Sequence, residues 1–151
     1  MPVNKDFKDL LAIFAAHDVR FLVVGAYAVT FHARPRFTKD LDVWVDPSAD
    51  NAAKVFVALA AFGAPLRSQG VEARDFATPG IVYQIGVEPN RIDILTTVDG
   101  LEFSPCYLRR ALSKFDDVPC AYLSREDLIS NKRAVGRPKD LEDLKELERQ
   151  P

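Results

Sequence analysis

Three aspartates occupy positions at which their carboxylates would bind a metal ion. Asp40 and Asp42 are two residues apart in the segment 40–45, where polar and apolar residues alternate as in a β-strand. Both side chains are therefore expected on one face of that strand. Asp93 lies in a second predicted strand, 91–95, between two isoleucines that we expect to face the core. If the two strands pair, the three carboxylates form a cluster of the oxygen ligands that Mg²⁺ or Mn²⁺ prefers.

Such a cluster suits phosphoryl transfer with two metal ions. One ion activates an attacking hydroxyl, and the other holds a triphosphate and stabilises the leaving oxygen. The alternative is that these acids simply face solvent on an amphipathic strand, because a lone Asp-x-Asp pair is frequent by chance. The residues upstream of the pair bear on this choice.

A glycine turn precedes the aspartates. Residues 20–24 form a short apolar run that predicts a strand buried on both faces, and 26–33 predict a helix of about two turns. Gly25, between them, permits a positive φ and the close approach of a ligand, and the helix start offers N–H groups to a phosphate. Gly25 lies fifteen residues before Asp40, which leaves room for the helix and one loop. The turn and the acids are therefore expected at the same end of neighbouring strands.

This combination resembles the signature of the DNA polymerase β-like nucleotidyltransferase superfamily. The resemblance rests on 21–29, on 36–45 and on Asp93 as the later acid. It implies an α/β (α+β) nucleotidyltransferase fold, with a mixed twisted β-sheet flanked by helices and with C-terminal helices. It also implies Mg²⁺- (or Mn²⁺-) dependent transfer of a nucleoside monophosphate from a nucleoside triphosphate to an acceptor hydroxyl or phosphate. Asp40, Asp42 and Asp93 are then the catalytic metal ligands, and Gly25 and Ala26 bind the nucleotide.

Within the superfamily, the chain looks most like small bacterial nucleotidyltransferases related to AbiEii-type abortive-infection toxins. The stretches that carry this likeness are 36–42 and 127–144. It implies that Lys132 is catalytic and that Lys139 and Asp140 belong to the nucleotide-binding site. It also implies RNA, tRNA or a protein as acceptor and a cognate antitoxin as partner. The chain departs from the pattern at Ala26, where a second Gly or Ser is usual, so the hydroxyl that would touch phosphate is missing while the backbone N–H groups remain.

Two clusters of basic residues flank these motifs. The first, Arg34, Arg36 and Lys39, would neutralise triphosphate charge or would form a solvated loop that offsets the acids. Strand alternation turns Lys39 away from the acids, so Arg36 is the better candidate for nucleotide binding, with Lys39 second. The other cluster, 132–139, predicts either a phosphate clamp or an exposed inter-helix turn, and the resemblance favours function for Lys132.

Composition is that of an ordinary globular domain. The chain has 151 residues, 48% of them hydrophobic and 28% charged, with a net charge of −2. This excludes collagen-like, coiled-coil and wholly disordered chains, and gives no global basic field for nucleic acid. Cys106 and Cys120 are too few for a disulfide framework and are expected to be reduced and packed. No apolar run is long enough to span a bilayer and no signal core is present, so we expect a cytoplasmic protein without membrane contact.

The whole chain, 1–151, is expected to form a single domain, with a catalytic core over 1–100 and a C-terminal strand and helical extension over 101–151. The other predicted elements are helices at 5–17 and 50–62, strands at 81–85 and 91–95, strand-like pieces near Phe103 and at 118–122, a helical or irregular segment at 107–113, and a helical region from Ser124 that is broken at Gly136 and Pro138.

Two alternatives stay open at this point. The same chemistry would serve a different acceptor: a small molecule, as in antibiotic modification, a protein hydroxyl, or an RNA 3′ end. A non-catalytic nucleotide-binding or toxin–antitoxin interaction module is the other alternative. Ala26 is the best support for it, and the retention of Asp40, Asp42 and Asp93 argues against it.

Overall fold

The strands and helices alternate along much of the chain. The computed structural model describes residues 4–33, 40–87 and 90–149. The α-helices in these ranges are α1 (Lys5–Ala16), α2 (Gly25–His32), α3 (Ala49–Phe62), α4 (Phe103–Leu108), α5 (Arg125–Val135) and α6 (Pro138–Glu148). The strands are β1 (Phe21–Val24), β2 (Leu41–Val45), β3 (Val82–Ile85), β4 (Ile92–Leu95), β5 (Ala111–Phe115) and β6 (Val118–Tyr122).

The strands pair into a mixed sheet in the order β3-β4-β2-β1-β6-β5. β1 is antiparallel to β2, while β2 is parallel to β4 and β1 is parallel to β6. The hairpins β3–β4 and β5–β6 form the two edges. Because β1 and β2 run in opposite directions, the end of β1 lies beside the start of β2. This confirms the expected placement of the glycine turn next to the aspartates.

Helices cover both faces of the sheet, which confirms the predicted fold class. On one face, Leu41, Val43 and Val45 of β2 pack in a core with apolar residues of α1 and α3. On the other, Trp44 packs in a second core with residues of α2, α4, α5 and α6. Side chains alternate between the two faces of a strand, so Asp42 shares the second face with Trp44.

Most of the predicted elements are confirmed within a residue or two at each end. The region around Phe103 is an exception, because it forms helix α4 and not a strand. Phe103 and Cys106 are three residues apart and both buried, which is the spacing of one helix face. The segment predicted as helical or irregular, 107–113, takes in the end of α4 and the first three residues of β5, which pairs with β6 across a hairpin turn at Asp116. A 3₁₀ helix at Ala73–Ala77 was also not predicted.

The two cysteines are packed in the interior, as expected. Cys106 and Cys120 are free and buried. Across 4–33, 40–87 and 90–149, no helix is long and apolar enough to cross a membrane.

Candidate active site

The turn between β1 and α2 lies directly against one of the predicted catalytic acids. Val24, the last residue of β1, is paired with Asp42 of β2. Gly25 follows with a φ of +65°, and a Cβ placed on it would overlap the carboxylate of Asp42. Glycine is therefore required here both by backbone conformation and by space. Helix α2 begins at Gly25 without a side-chain cap from Val24, so its first backbone N–H groups are available to a ligand.

The structure brings together the three aspartates that the sequence singles out. Asp42 and Asp93 are directly paired across the parallel strands β2 and β4, and Asp40 immediately precedes β2. We call Asp40, Asp42 and Asp93 the acid trio. Burial, and then the negative charges of Asp93 and Asp40, raise the pKa of Asp42 to about 7. A cation beside Asp42 would relieve both effects.

Arg91 supplies positive charge to the other two members of the acid trio. Its Nε donates a hydrogen bond to Asp93 Oδ1 at 2.8 Å, and its Nη2 donates to Asp93 Oδ2 at 3.3 Å. Nη2 also lies 3.5 Å from Asp40 Oδ2. In addition, the Arg91 backbone N–H donates to Asp40 Oδ1 at 3.1 Å. One residue thus fastens Asp40 to Asp93 through both its side chain and its backbone.

The acid trio has the donor chemistry that a divalent cation needs. Its carboxylate oxygens are hard ligands, and burial together with the charges of Asp93 and Asp40 raises the pKa of Asp42 although Arg91 lowers it. Yet among the described residues no three His, Cys, Asp or Glu side chains converge as a ready metal site. Arg91 engages two of the three carboxylates. The donor chemistry suits a divalent cation, which would have to share these carboxylates with Arg91.

A second group of charges lies between α5 and α6. Lys132 is 7% exposed, and its Nζ lies 3.1 Å from Asp140 Oδ1 and 3.0 Å from Asp143 Oδ2. Arg137 also binds Asp140, with 2.7 Å between Nε and Oδ2. The bond from Arg137, aided by Lys132, lowers the pKa of Asp140 to about 2. Two of the residues that the resemblance implicates, Lys132 and Asp140, are therefore in direct contact.

Comparison with known proteins finds a matching family and a solved structure of similar fold. The model of a family described as "Nucleotidyl transferase of unknown function (DUF2204)" matches residues 4–150. The chain belongs to this nucleotidyltransferase family. Among solved structures, it is similar to the lincosamide antibiotic adenylyltransferase LnuA in its lincomycin-bound crystal structure. The match has a TM-score of 0.58 at 14% identity and covers 99% of each chain, so it supports the fold. No curated protein sequence matches significantly.

The other residues predicted to bind the nucleotide lie only partly within the described ranges of this nucleotidyltransferase. Ala26 lies in the first turn of α2, directly after Gly25. Lys139 is exposed at the start of α6. The predicted basic loop, with Arg34, Arg36 and Lys39, lies outside the described residues. The role in nucleotide binding predicted for Arg36 and Lys39 therefore remains a prediction.

The sequence analysis missed Arg91 and Asp143. Arg91 precedes Asp93 by two residues, so strand alternation alone places both side chains on one face and would have drawn attention to the arginine. Asp143 lies three residues after Asp140, the spacing at which side chains of a helix are neighbours. The pairing of either acid with Lys132 depends on how α5 packs against α6, which local sequence does not reveal.

Proposed function

We propose that this nucleotidyltransferase transfers a nucleoside monophosphate from a nucleoside triphosphate to the hydroxyl of a small-molecule acceptor, with Mg²⁺ or Mn²⁺ held by the acid trio. One observation carries the chemistry: the Gly25 turn lies against Asp42, and Asp42 is paired with Asp93. A phosphate bound by the first N–H groups of α2 would thus be next to the carboxylates that hold the metal. Phosphoryl transfer needs this combination of anion binding and metal ligands in one place.

The reaction divides among a few groups of the chain. The acceptor hydroxyl oxygen attacks the α-phosphorus, the bond from that phosphorus to the α,β-bridging oxygen breaks, and pyrophosphate leaves. The hydroxyl proton passes to a base, for which the carboxylate of Asp93 is the candidate because it lies on the sheet face shared with Asp42. The backbone at Gly25 and Ala26 orients the triphosphate. The metal would supply positive charge that activates the hydroxyl and stabilises the leaving group.

The charges near α5 and α6 favour a small acceptor over RNA. The basic segment 132–139 was the feature that pointed to a phosphate-rich partner. Lys132 is buried between two carboxylates, Arg137 binds Asp140, and Arg133 Nη2 lies 2.8 Å from Glu148. Acidic partners thus offset most of the charge that would attract a phosphate backbone. The likeness to LnuA over the full length of both chains points the same way, because that protein is an antibiotic adenylyltransferase.

The toxin-like function is the second candidate. The similarity of 127–144 to AbiEii-type proteins motivates it, with RNA or a protein as acceptor and an antitoxin as partner. The observed contact of Lys132 with Asp140 supports a shared role for the two residues that this similarity implicates. Both α5 and α6 contact α2, the helix that follows the glycine turn, so this ion cluster adjoins an element of the proposed nucleotide site.

A transfer assay separates these functions. Each of the four nucleoside triphosphates, labelled with ³²P at the α-phosphate, is incubated with the protein, Mg²⁺ and one acceptor pool: lincomycin and other hydroxyl-bearing small molecules, total RNA, or cell protein. Label in the small-molecule fraction supports the proposal, while label in RNA or protein supports the toxin-like function. Asp42→Asn should abolish transfer, and Asp50→Asn, which changes an exposed aspartate of α3, should not. If the Asp42 variant stays active, the metal mechanism is wrong.

A further inference from the structure

Within the described residues, positive charge reaches the acid trio from Arg91, which immediately precedes strand β4. Arg91 and Asp93 are two residues apart at the start of β4, and their side chains form a two-point ion pair. Arg91 also reaches Asp40, because Leu41 pairs with Ile92 and this register sets Asp40 beside Arg91. The backbone bond from Leu41 to the Arg91 carbonyl, 3.0 Å long, fixes the same alignment. The guanidinium thus takes up carboxylate oxygens that a metal ion would use.

The ion pairs of Arg91 with Asp40 and Asp93 are partly buried, unlike those of an exposed surface. The side chains of Arg91, Asp40 and Asp93 are 26%, 21% and 12% exposed, so water screens their charges only in part. A guanidinium offers donors in a fixed fork, which matches the two oxygens of Asp93. It cannot lose its charge to make room for a second cation. Metal and guanidinium must therefore compete for the same oxygens.

We propose that Arg91 is an internal counter-cation of the acid trio. It offsets part of the charge of Asp40 and Asp93 in the metal-free protein, and it must release at least one of them when a divalent cation binds. This inference rests on the proposed function, which places the metal at the same carboxylates. It assigns to Arg91 a positioning role: the arginine holds the acids close together before the metal arrives and sets how tightly the metal binds.

The first test measures Mn²⁺ binding by calorimetry in the absence of nucleotide. Arg91→Gln removes the competing charge and is expected to bind Mn²⁺ about tenfold more tightly than the wild type. Arg91→Lys keeps the charge and should stay near the wild-type affinity. Arg109→Gln is the matched control, because Arg109 makes a comparable two-point pair with Asp127 at 2.9 and 3.0 Å away from the acid trio. Its Mn²⁺ affinity should equal that of the wild type.

The outcomes separate this inference from the proposed function. Equal or weaker binding by Arg91→Gln, with wild-type binding that Asp42→Asn abolishes, overturns the role of Arg91 and leaves the metal site in place. Binding by neither the wild type nor Arg91→Gln overturns both proposals. Binding by Arg91→Gln alone supports the inference in its strongest form.

A second test uses the unaltered protein, so it does not depend on the folding of a variant. The Arg91 Nε–H resonance is followed in ¹⁵N-labelled wild-type protein during a Mg²⁺ titration. Release of Asp93 or Asp40 should shift this resonance in step with Mg²⁺ binding, and the Arg109 Nε–H resonance should stay fixed. An Arg91 resonance that does not move while Mg²⁺ saturates the protein overturns the proposal.

Discussion

Gly25 lies so close to Asp42 that the space for any side chain at position 25 is already filled by the aspartate carboxylate. The contact follows from the sheet, since Val24 and Asp42 are paired across the antiparallel strands β1 and β2. The tight turn thus does more than reverse the chain. It sets the first backbone N–H groups of α2 beside the acid trio, where the proposed triphosphate would bind.

Replacement of Gly25 by alanine should therefore harm both stability and nucleotide binding. The positive φ alone costs about 1–2 kcal/mol for a residue with a Cβ. The overlap with Asp42 adds to this and must displace either the turn or the carboxylate. We expect chemical denaturation to show a loss in the free energy of unfolding larger than 2 kcal/mol, and calorimetry to show loss of nucleoside triphosphate binding.

Gly70→Ala provides the control for this change. Gly70 has a φ of +70°, close to that of Gly25, but nothing lies within 4 Å of the position where a Cβ would stand. It carries the backbone strain without the overlap and should retain nucleotide binding. If the two variants lose equal stability, the contact between Gly25 and Asp42 has no energetic importance.

The pKa of Asp42 predicts an unusual dependence of stability on pH. Folding raises this pKa from 3.8 to about 7, so the folded state holds a proton that the unfolded state releases in this interval. The contribution of Asp42 is complete below about pH 4 and is lost as the pH rises through 7. In metal-free buffer, the wild-type free energy of unfolding should therefore fall over this range by roughly 2–4 kcal/mol from this residue.

Asp42→Asn tests that prediction, because asparagine has no proton to lose. The variant should match the wild type near pH 4 and exceed it in stability at pH 8, as urea denaturation at each pH would reveal. Added Mg²⁺ should stabilise the wild type at pH 8 and leave the variant unchanged. Parallel pH profiles for the two proteins would contradict the raised pKa of Asp42.

Strand alternation and the spacing from Gly25 are local signals, so the sequence alone predicts that Asp40, Asp42 and Asp93 can lie on one side of the sheet. Asp42 follows an apolar residue and precedes another, and this period of two survives in the folded strand. The pairing of β2 with β4 had to be assumed, because the register of parallel strands depends on packing between distant segments. The same register brings Asp40 to Arg91, which is why the arginine was overlooked.

The errors around Phe103 have a similar cause. Helix α4 has only six residues and includes Pro105, so it offers too little periodicity to be told from a strand. Its identity depends on Phe103, whose ring packs edge to face against Trp44 at 5.2 Å between centroids. Likewise, β5 has weak strand character on its own and is held by antiparallel pairing with β6. Contacts between distant segments decided both elements.

Lys132 should be important for stability whether or not it touches substrate. It is buried between Asp140 and Asp143, and its loss removes a cation from both carboxylates, although Asp140 keeps its bond from Arg137. Lys132→Met is expected to destabilise the protein by about 3–5 kcal/mol. Arg133→Met, at the next position, breaks an exposed pair with Glu148 and should cost no more than about 1 kcal/mol. Equal unfolding midpoints for the two variants would show that the buried cluster contributes no more than a surface pair.

Activity of the Lys132 variant carries separate information. Asp143→Asn in the same chain removes one of the two carboxylates that have lost this cation and should restore part of the lost stability. If the double variant folds at the assay temperature but transfers no nucleotide, Lys132 has a role in the reaction. If transfer returns together with stability, the resemblance assigned a catalytic role to a residue whose role is structural.

Ala26 allows a gain-of-function test of the proposed nucleotide site. The superfamily pattern that the sequence resembles has Gly or Ser at this position, and a serine hydroxyl in the first turn of α2 would donate a hydrogen bond to a bound phosphate oxygen. A hydrogen bond to a charged group contributes about 1.5–3 kcal/mol, so Ala26→Ser should lower the KM for the triphosphate by roughly ten- to a hundredfold. Ala33→Ser, at the opposite end of the same helix, adds the same hydroxyl and should leave KM unchanged. Identical KM values for the two variants would mean that the triphosphate does not lie at the start of α2, and the role proposed for Gly25 would fail with it.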